Sequence, residues 1–233
     1  GMGVKRASEA IIAKGRKIAA HLLQTDAERV VFENGVFRAQ SSSVSLNEVA
    51  AASRDASKMP EGMALGLDET VVFENDVENF PNGAHVCELE IDPETGILEI
   101  LNYVAVDDCG VVLNPFIVHG QVYGGVMQGV GQALTENVVY DASGQLLSAS
   151  YMDYGMPRAA HMPMIEALFN VVPAKTNELG VKGAGEAGAC GAPPAILSAV
   201  GDALGRLGVS HIDMPLTPER VWRAIQEASV KAA

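Results

Sequence analysis

Apolar residues Val4, Ala7, Ile11, Ile12, Ile18, Ala19, Leu22 and Leu23 recur at three-and-four spacing, with Lys5, Arg6, Lys14, Arg16 and Lys17 mostly elsewhere. That pattern predicts an amphipathic helix over residues 4–24. The period then shortens to two. Residues 29–32 and 36–39 flank Asn34-Gly35, a pair at ease with positive φ, and predict a tight hairpin. Ser45 followed by Glu48 is a capping box opening a short helix to about Arg54. Residues 58–67 turn to Met, Pro and Gly without periodicity, which predicts a long loop or linker. The expected organisation is an N-terminal subdomain at 1–57, a linker at 58–68 and a larger subdomain at 69–233.

Strands are expected at 69–74, 85–92 and 96–107, the last two joined by the turn sequence Pro93-Glu94-Thr95-Gly96 as a half-buried antiparallel pair. After Asn114-Pro115, residues Ile117, Val118, Val122, Val126, Met127, Val130 and Leu134 keep helical spacing despite Gly120, Gly124, Gly125, Gly129 and Gly131. Each interior glycine costs about 0.5–1 kcal/mol relative to alanine, so either close packing against another backbone or clearance for a ligand is required. Gln121, Gln128 and Gln132 fall nearly in line on that helix. Gln128 is the candidate ligand contact, and solvent exposure is expected for the other two. Further along, Asp141 to Gly144 reads as a hairpin turn between 138–140 and 146–148, and 164–172 as another strand. Thr217-Pro218 opens a final helix with Val221, Trp222 and Ile225 facing inward. The fold class expected is α+β, with mixed and antiparallel sheets packed against helices.

The most distinctive stretch is residues 178–204, ELGVKGAGEAGACGAPPAILSAVGDAL, where glycines 183, 185, 188 and 191 surround the single carboxylate of Glu186. Such a backbone can approach a bulky ligand without Cβ clashes. Pro193 and Pro194 then read as the start of a helix over 195–204, whose first-turn N–H groups would favour an anion. Gly183, Gly185 and Gly188 also match G-x-G-x-x-G. The dinucleotide fingerprint, however, needs a strand immediately before it and a helix immediately after it, and PAKTNELGVK is a poor strand.

Composition narrows the function classes. A net charge of −13 disfavours nucleic acid or an anionic membrane surface as partner. No apolar run approaches a membrane span and residues 1–12 lack a secretory apolar core, so a cytoplasmic protein is expected. Three widely spaced cysteines suit buried thiols rather than a disulfide framework, and the five histidines have no ligand spacing.

Four ordered motifs, VAVDDCGVVLNP, GQVYGGVMQGVGQAL, LGVKGAGEAGACGAP and LTPERVW, resemble the C-terminal part of the molybdenum hydroxylase large subunit. This is the xanthine dehydrogenase and aldehyde oxidase family, which includes the aerobic carbon monoxide dehydrogenases. The resemblance runs from about Ala7 onward and implies a site on a molybdopterin cofactor, in bacteria usually a dinucleotide form such as the cytosine one. It implies oxidative hydroxylation of a heterocycle, aldehyde or related substrate, with electrons leaving through iron–sulfur clusters to flavin on other subunits or domains. By position Glu186 matches the family's general base, and Gln128 the glutamine that meets the cofactor. Gly125, Lys182, Gly183, Ala184 and Gly185 would line the pocket, with no metal ligand from these residues. Full large subunits are several times longer. The resemblance therefore implies a partner polypeptide carrying the remaining half, besides iron–sulfur and flavin subunits, or self-association to cover exposed apolar surface.

Overall fold

The computed structural model describes residues 1–75 and 77–232, with backbone only at the last two. The chain divides into two compact units, Gly1–Asp76 and Val77–Ala233.

In the first unit, α1 (Met2–Leu23) lays Ile18 and Ala19 against Phe37, all three fully buried. A Cβ at Gly15 would come within 2.5 Å of the Phe37 ring, so glycine is what lets the helix settle on that ring. The expected hairpin forms from β1 (Val31–Glu33) and β2 (Val36–Ala39), with Asn34 and Gly35 at φ 50° and 77°. A third strand, β3 (Ser42–Ser45), had no sequence signal: SSVS lacks apolar alternation and is held by its antiparallel register on β2. Ser45 then caps α2 (Leu46–Ala52), its hydroxyl accepting from Glu48 N while Glu48 returns a carboxylate to Ser45 N. Residues 58–68, read from sequence as a linker, pack Met59, Met63 and Leu67 onto this core. The expected strand at 69–74 is absent. That segment has no ladder partner among the described residues, and side chains tether it to α1, with Glu69 3.3 Å from Lys14 and the Phe73 ring beneath Arg6.

The second unit is built on β4 (Asn82–Ile91) and β5 (Leu98–Asp108), antiparallel as expected with a bulge at Glu88/Leu89. β6 (Glu166–Phe169) adds to β5 in parallel. The expected 138–148 hairpin forms as a short one: Tyr140 bridges Leu146, Leu147 N donates to Val139 O at 2.8 Å and Asp141 N to Gln145 O at 2.9 Å, around a turn in which Ser143 N donates to the Asp141 carboxylate. Against the sheet lie α3 (Pro115–Val130), which widens into a π turn at Gly131–Thr135, and α4 (Ala187–Gly205). Their crossing is a backbone contact: a Cβ at Gly188 would meet Val122 O at 2.5 Å, and one at Gly125 would meet Ala189 N at 2.9 Å.

α4 departs most from expectation. It starts at Ala187, so Pro193 and Pro194 lie two turns inside the helix instead of opening it. Interior prolines cost about 3 kcal/mol or more each in lost hydrogen bonding and steric conflict. The close crossing with α3 and burial of Ala192, Pro193 and Ile196 offset that cost. Finally α5 (Pro218–Ala232) begins directly after Thr217, as the Thr-Pro pair predicts, and buries Val221 and Ile225. Trp222 is 41% exposed rather than core, because one residue beyond Val221 is a turn of 100° around the helix. Among the described residues no helix is long and apolar enough to cross a membrane.

Candidate active site

The early start of α4 makes Glu186 its N-cap residue, with φ −105° and ψ −11°. Its carbonyl accepts from Cys190 N at 2.9 Å, while no side chain caps the helix. The first-turn amides of Ala187, Gly188 and Ala189 thus sit beside an exposed carboxylate at the mouth of a cleft of about 660 Å³. His85, Cys87 and Asp107 from the sheet and Glu186, Cys190 and Pro194 from α4 contribute to its walls.

The loop before Glu186 is anchored at its N-terminal end. Val181 bridges to Gly110, Lys182 N donates to Cys109 O at 3.0 Å, and Lys182 Nζ reaches Asp108 Oδ2 at 2.5 Å. Asp108 Oδ1 also accepts from Gly110 N and Val172 N. Burial opposes ionisation of Asp108, but these hydrogen bonds, led by Lys182, outweigh it and hold the carboxyl below its usual range. Beyond Lys182 the loop is open. A Cβ at Gly183 would touch only Pro81, 4.0 Å away, and one at Gly185 only Gln121 Oε1 at 3.6 Å. There is room at both for something other than protein.

Two groups the motifs did not single out shape the cleft floor. His85 and Asp107 are nearly sealed, with Nε2 3.3 Å from Asp107 Oδ1 and Nδ1 2.8 Å from the Tyr103 hydroxyl. His85 pairs with Ala105 across the ladder, so Tyr103 and Asp107 are its diagonal neighbours on one face. The alternation of β4 and β5 carried that signal. Burial first, then the nearby Cys87 and Asp107, pushes the Tyr103 hydroxyl up, which keeps it a hydrogen-bond donor. Asp107 Oδ2 is buried and accepts from no described protein group.

Of the sequence candidates, Glu186 lines the cleft, Gly183, Ala184 and Gly185 form the open loop that leads into it, and Lys182 is turned to Asp108. Gln121, not Gln128, is the glutamine beside the loop. Gln128 is exposed two turns further along the same face of α3, about 10 Å away. The glycines of α3 divide between the two reasons considered for them. Gly125 and Gly129 admit α4, while nothing lies within 4 Å of a Cβ at Gly120 or Gly124. The G-x-G-x-x-G match follows irregular chain rather than a strand, so the dinucleotide reading lapses. Nor are all three thiols buried: Cys109 is, Cys87 is half-buried and Cys190 is exposed.

Comparison with known proteins adds an independent line. A family model described as a molybdopterin cofactor-binding domain matches residues 1–163. The large subunit of nicotine 6-hydroxylase from Paenarthrobacter nicotinovorans is 41% identical over 225 residues, covering 95% of this chain and 28% of that protein. The carbon monoxide dehydrogenase large chain of Hydrogenophaga pseudoflava is 33% identical over 97% of this chain and 28% of its own length. Among solved structures, quinoline 2-oxidoreductase from Pseudomonas putida 86 superposes with a TM-score of 0.84 at 35% identity, over 95% of this chain and 29% of that one. The chain therefore spans under a third of the length of the relatives it matches.

Proposed function

Because the chain belongs to the molybdopterin cofactor-binding domain family, within the large subunits of the molybdenum hydroxylases, we propose that it forms one wall of a molybdenum active site and supplies the base. The single observation that carries this reading is Glu186 held at the uncapped start of α4, with an open glycine loop on one side and a cleft on the other.

The residues present suit such a group. Gly183 and Gly185 leave a cradle that side chains would fill, the amides of Ala187, Gly188 and Ala189 offer donors, and Gln121 adds an amide. Ala184 lies between those two glycines in the loop, Gly125 lets the first turn of α4 and its amides sit close against α3, and Gln128 meets the cofactor further along α3. We take the cofactor to be the cytosine dinucleotide form, with iron–sulfur and flavin groups on partner subunits. When bound, the molybdenum cofactor supplies the redox centre that accepts two electrons as the substrate carbon gains oxygen. Glu186 accepts the proton released in that step. An exposed carboxylate at the rim of a partly apolar cleft is within reach of both solvent and an entering substrate. The substrate class is an electron-poor heterocycle, aldehyde or related compound.

The catalytic unit is a complex. Leu113, Phe116 and Ile117, at the start of α3, are 62%, 88% and 56% exposed, an apolar patch suited to a polypeptide carrying the rest of the large subunit. The three unpaired thiols suit a reducing, cytoplasmic compartment. Co-expression with that polypeptide followed by metal analysis tests the assignment. Bound molybdenum in the complex is expected. A well-formed complex devoid of molybdenum would instead mark an assembly module that keeps the fold without the chemistry.

A further inference from the structure

We infer that the adjacent residues Asp107 and Asp108 form a two-sided frame that holds Glu186 in place, making Lys182 and His85 positioning residues. Neighbouring residues of a strand point to opposite faces. At the end of β5 the chain uses both faces for one purpose.

On one face, Asp108 gathers three segments. It accepts from Lys182 Nζ at 2.5 Å, from Gly110 N at 2.9 Å and from Val172 N at 3.1 Å. Lys182 lies four residues before Glu186, and its own amide is bound to Cys109 O. Its ammonium is therefore committed to the protein. On the other face, Asp107 accepts from His85, since a carboxylate can only accept and Nε2 must carry the proton. In the neutral ring that leaves Nδ1 to accept from the Tyr103 hydroxyl. The oriented imidazole lies flush against Gly191, five residues after Glu186, where any Cβ would run into the ring. Gly83, opposite Asp107 on β4, leaves the room its carboxylate occupies. Glu186 is thus pinned from before by Asp108 through Lys182, and from behind by Asp107 through His85.

The catalytic consequence rests on the proposed role of Glu186, but the frame itself can be measured in this chain without cofactor. Backbone ¹⁵N relaxation should give order parameters for Gly183 and Gly185 of about 0.8 or higher, typical of rigid backbone. Lys182→Met should lower them to below about 0.6, Lys182→Arg should retain most of the order, and Asp108→Asn with Lys182→Met should be no looser than Lys182→Met. His85→Ala should loosen Gly188 and Gly191 and leave Gly183 unchanged. In the assembled enzyme, Lys182→Met should lower kcat about 10-fold or more at unchanged KM and molybdenum content. A mobile Gly183 and Gly185 in the wild-type chain overturns the frame whether or not any variant folds. So does Lys182→Met that leaves the order parameters intact while molybdenum is lost, the mark of a direct cofactor contact. Failure of Glu186→Gln to impair turnover would remove the catalytic reading and leave the order parameters standing.

Discussion

Replacing Gly188 with alanine puts a Cβ 2.5 Å from the Val122 carbonyl oxygen, 2.7 Å from the Val126 nitrogen and 3.0 Å from the Gly125 carbonyl carbon. All three neighbours are backbone of α3, so no side chain can swing aside and the helices must part. Overpacking of this kind costs about 1–3 kcal/mol, with the upper half expected where backbone meets backbone. Against it stands the gain of about 0.5–1 kcal/mol for alanine over glycine in a helix, reduced here because Gly188 is only the second residue of α4. The net expectation is a loss of about 1.5–2.5 kcal/mol, or a fall of about 0.75–1.25 M in the urea midpoint at a slope near 2 kcal/mol per M. Gly120→Ala and Gly124→Ala are the controls. Nothing lies within 4 Å of a Cβ at either position, so each should gain about 0.5–1 kcal/mol. Urea unfolding followed by circular dichroism reads all three. Gly188→Ala at or above the wild-type midpoint, or both controls falling below it, would refute the backbone-contact account of the crossing.

Further expectations follow from the site. Gly183→Ala and Gly185→Ala meet open space and need no left-handed backbone, so stability should stay within about 0.5 kcal/mol while molybdenum retention in the complex drops, as metal analysis would report. Ellman's reagent at pH 8 should label Cys190 fast. Cys109 is buried and burial pushes Cys87 to about 11, so both should lag, and Cys190→Ser should abolish the fast phase. Asp108 is held below its unfolded value, so its contribution is complete above that value and disappears as pH falls through the lower folded one. The stability gap between the wild type and Asp108→Asn should be constant above about pH 5 and close below about pH 4 in urea titrations.

Where local chemistry decides the structure, the sequence was readable. The capping box at Ser45, the Asn34-Gly35 turn, the alternation of β4 and β5 and the start of α5 at Thr217-Pro218 all depend on residues within a few positions of each other. Elements set by distant neighbours were not. β3 exists because β2 offers a register, and the prolines of α4 are tolerated because α3 packs against its first turns. The site divides the same way. Glu186 and its glycines stood out locally, whereas the placing of Gln121 beside Gly185 and the diagonal meeting of His85 with Tyr103 and Asp107 required the fold. Trp222 shows the limit of counting apolar residues on a helix, since one position of phase separates it from the buried Val221.

The most direct test of the account is turnover by the assembled enzyme carrying Glu186→Gln at matched molybdenum content. Glutamine keeps the size and the hydrogen-bonding reach but cannot accept the proton, so turnover should fall by about 10²–10⁴. Near-full turnover in that variant would contradict the role assigned to this carboxylate.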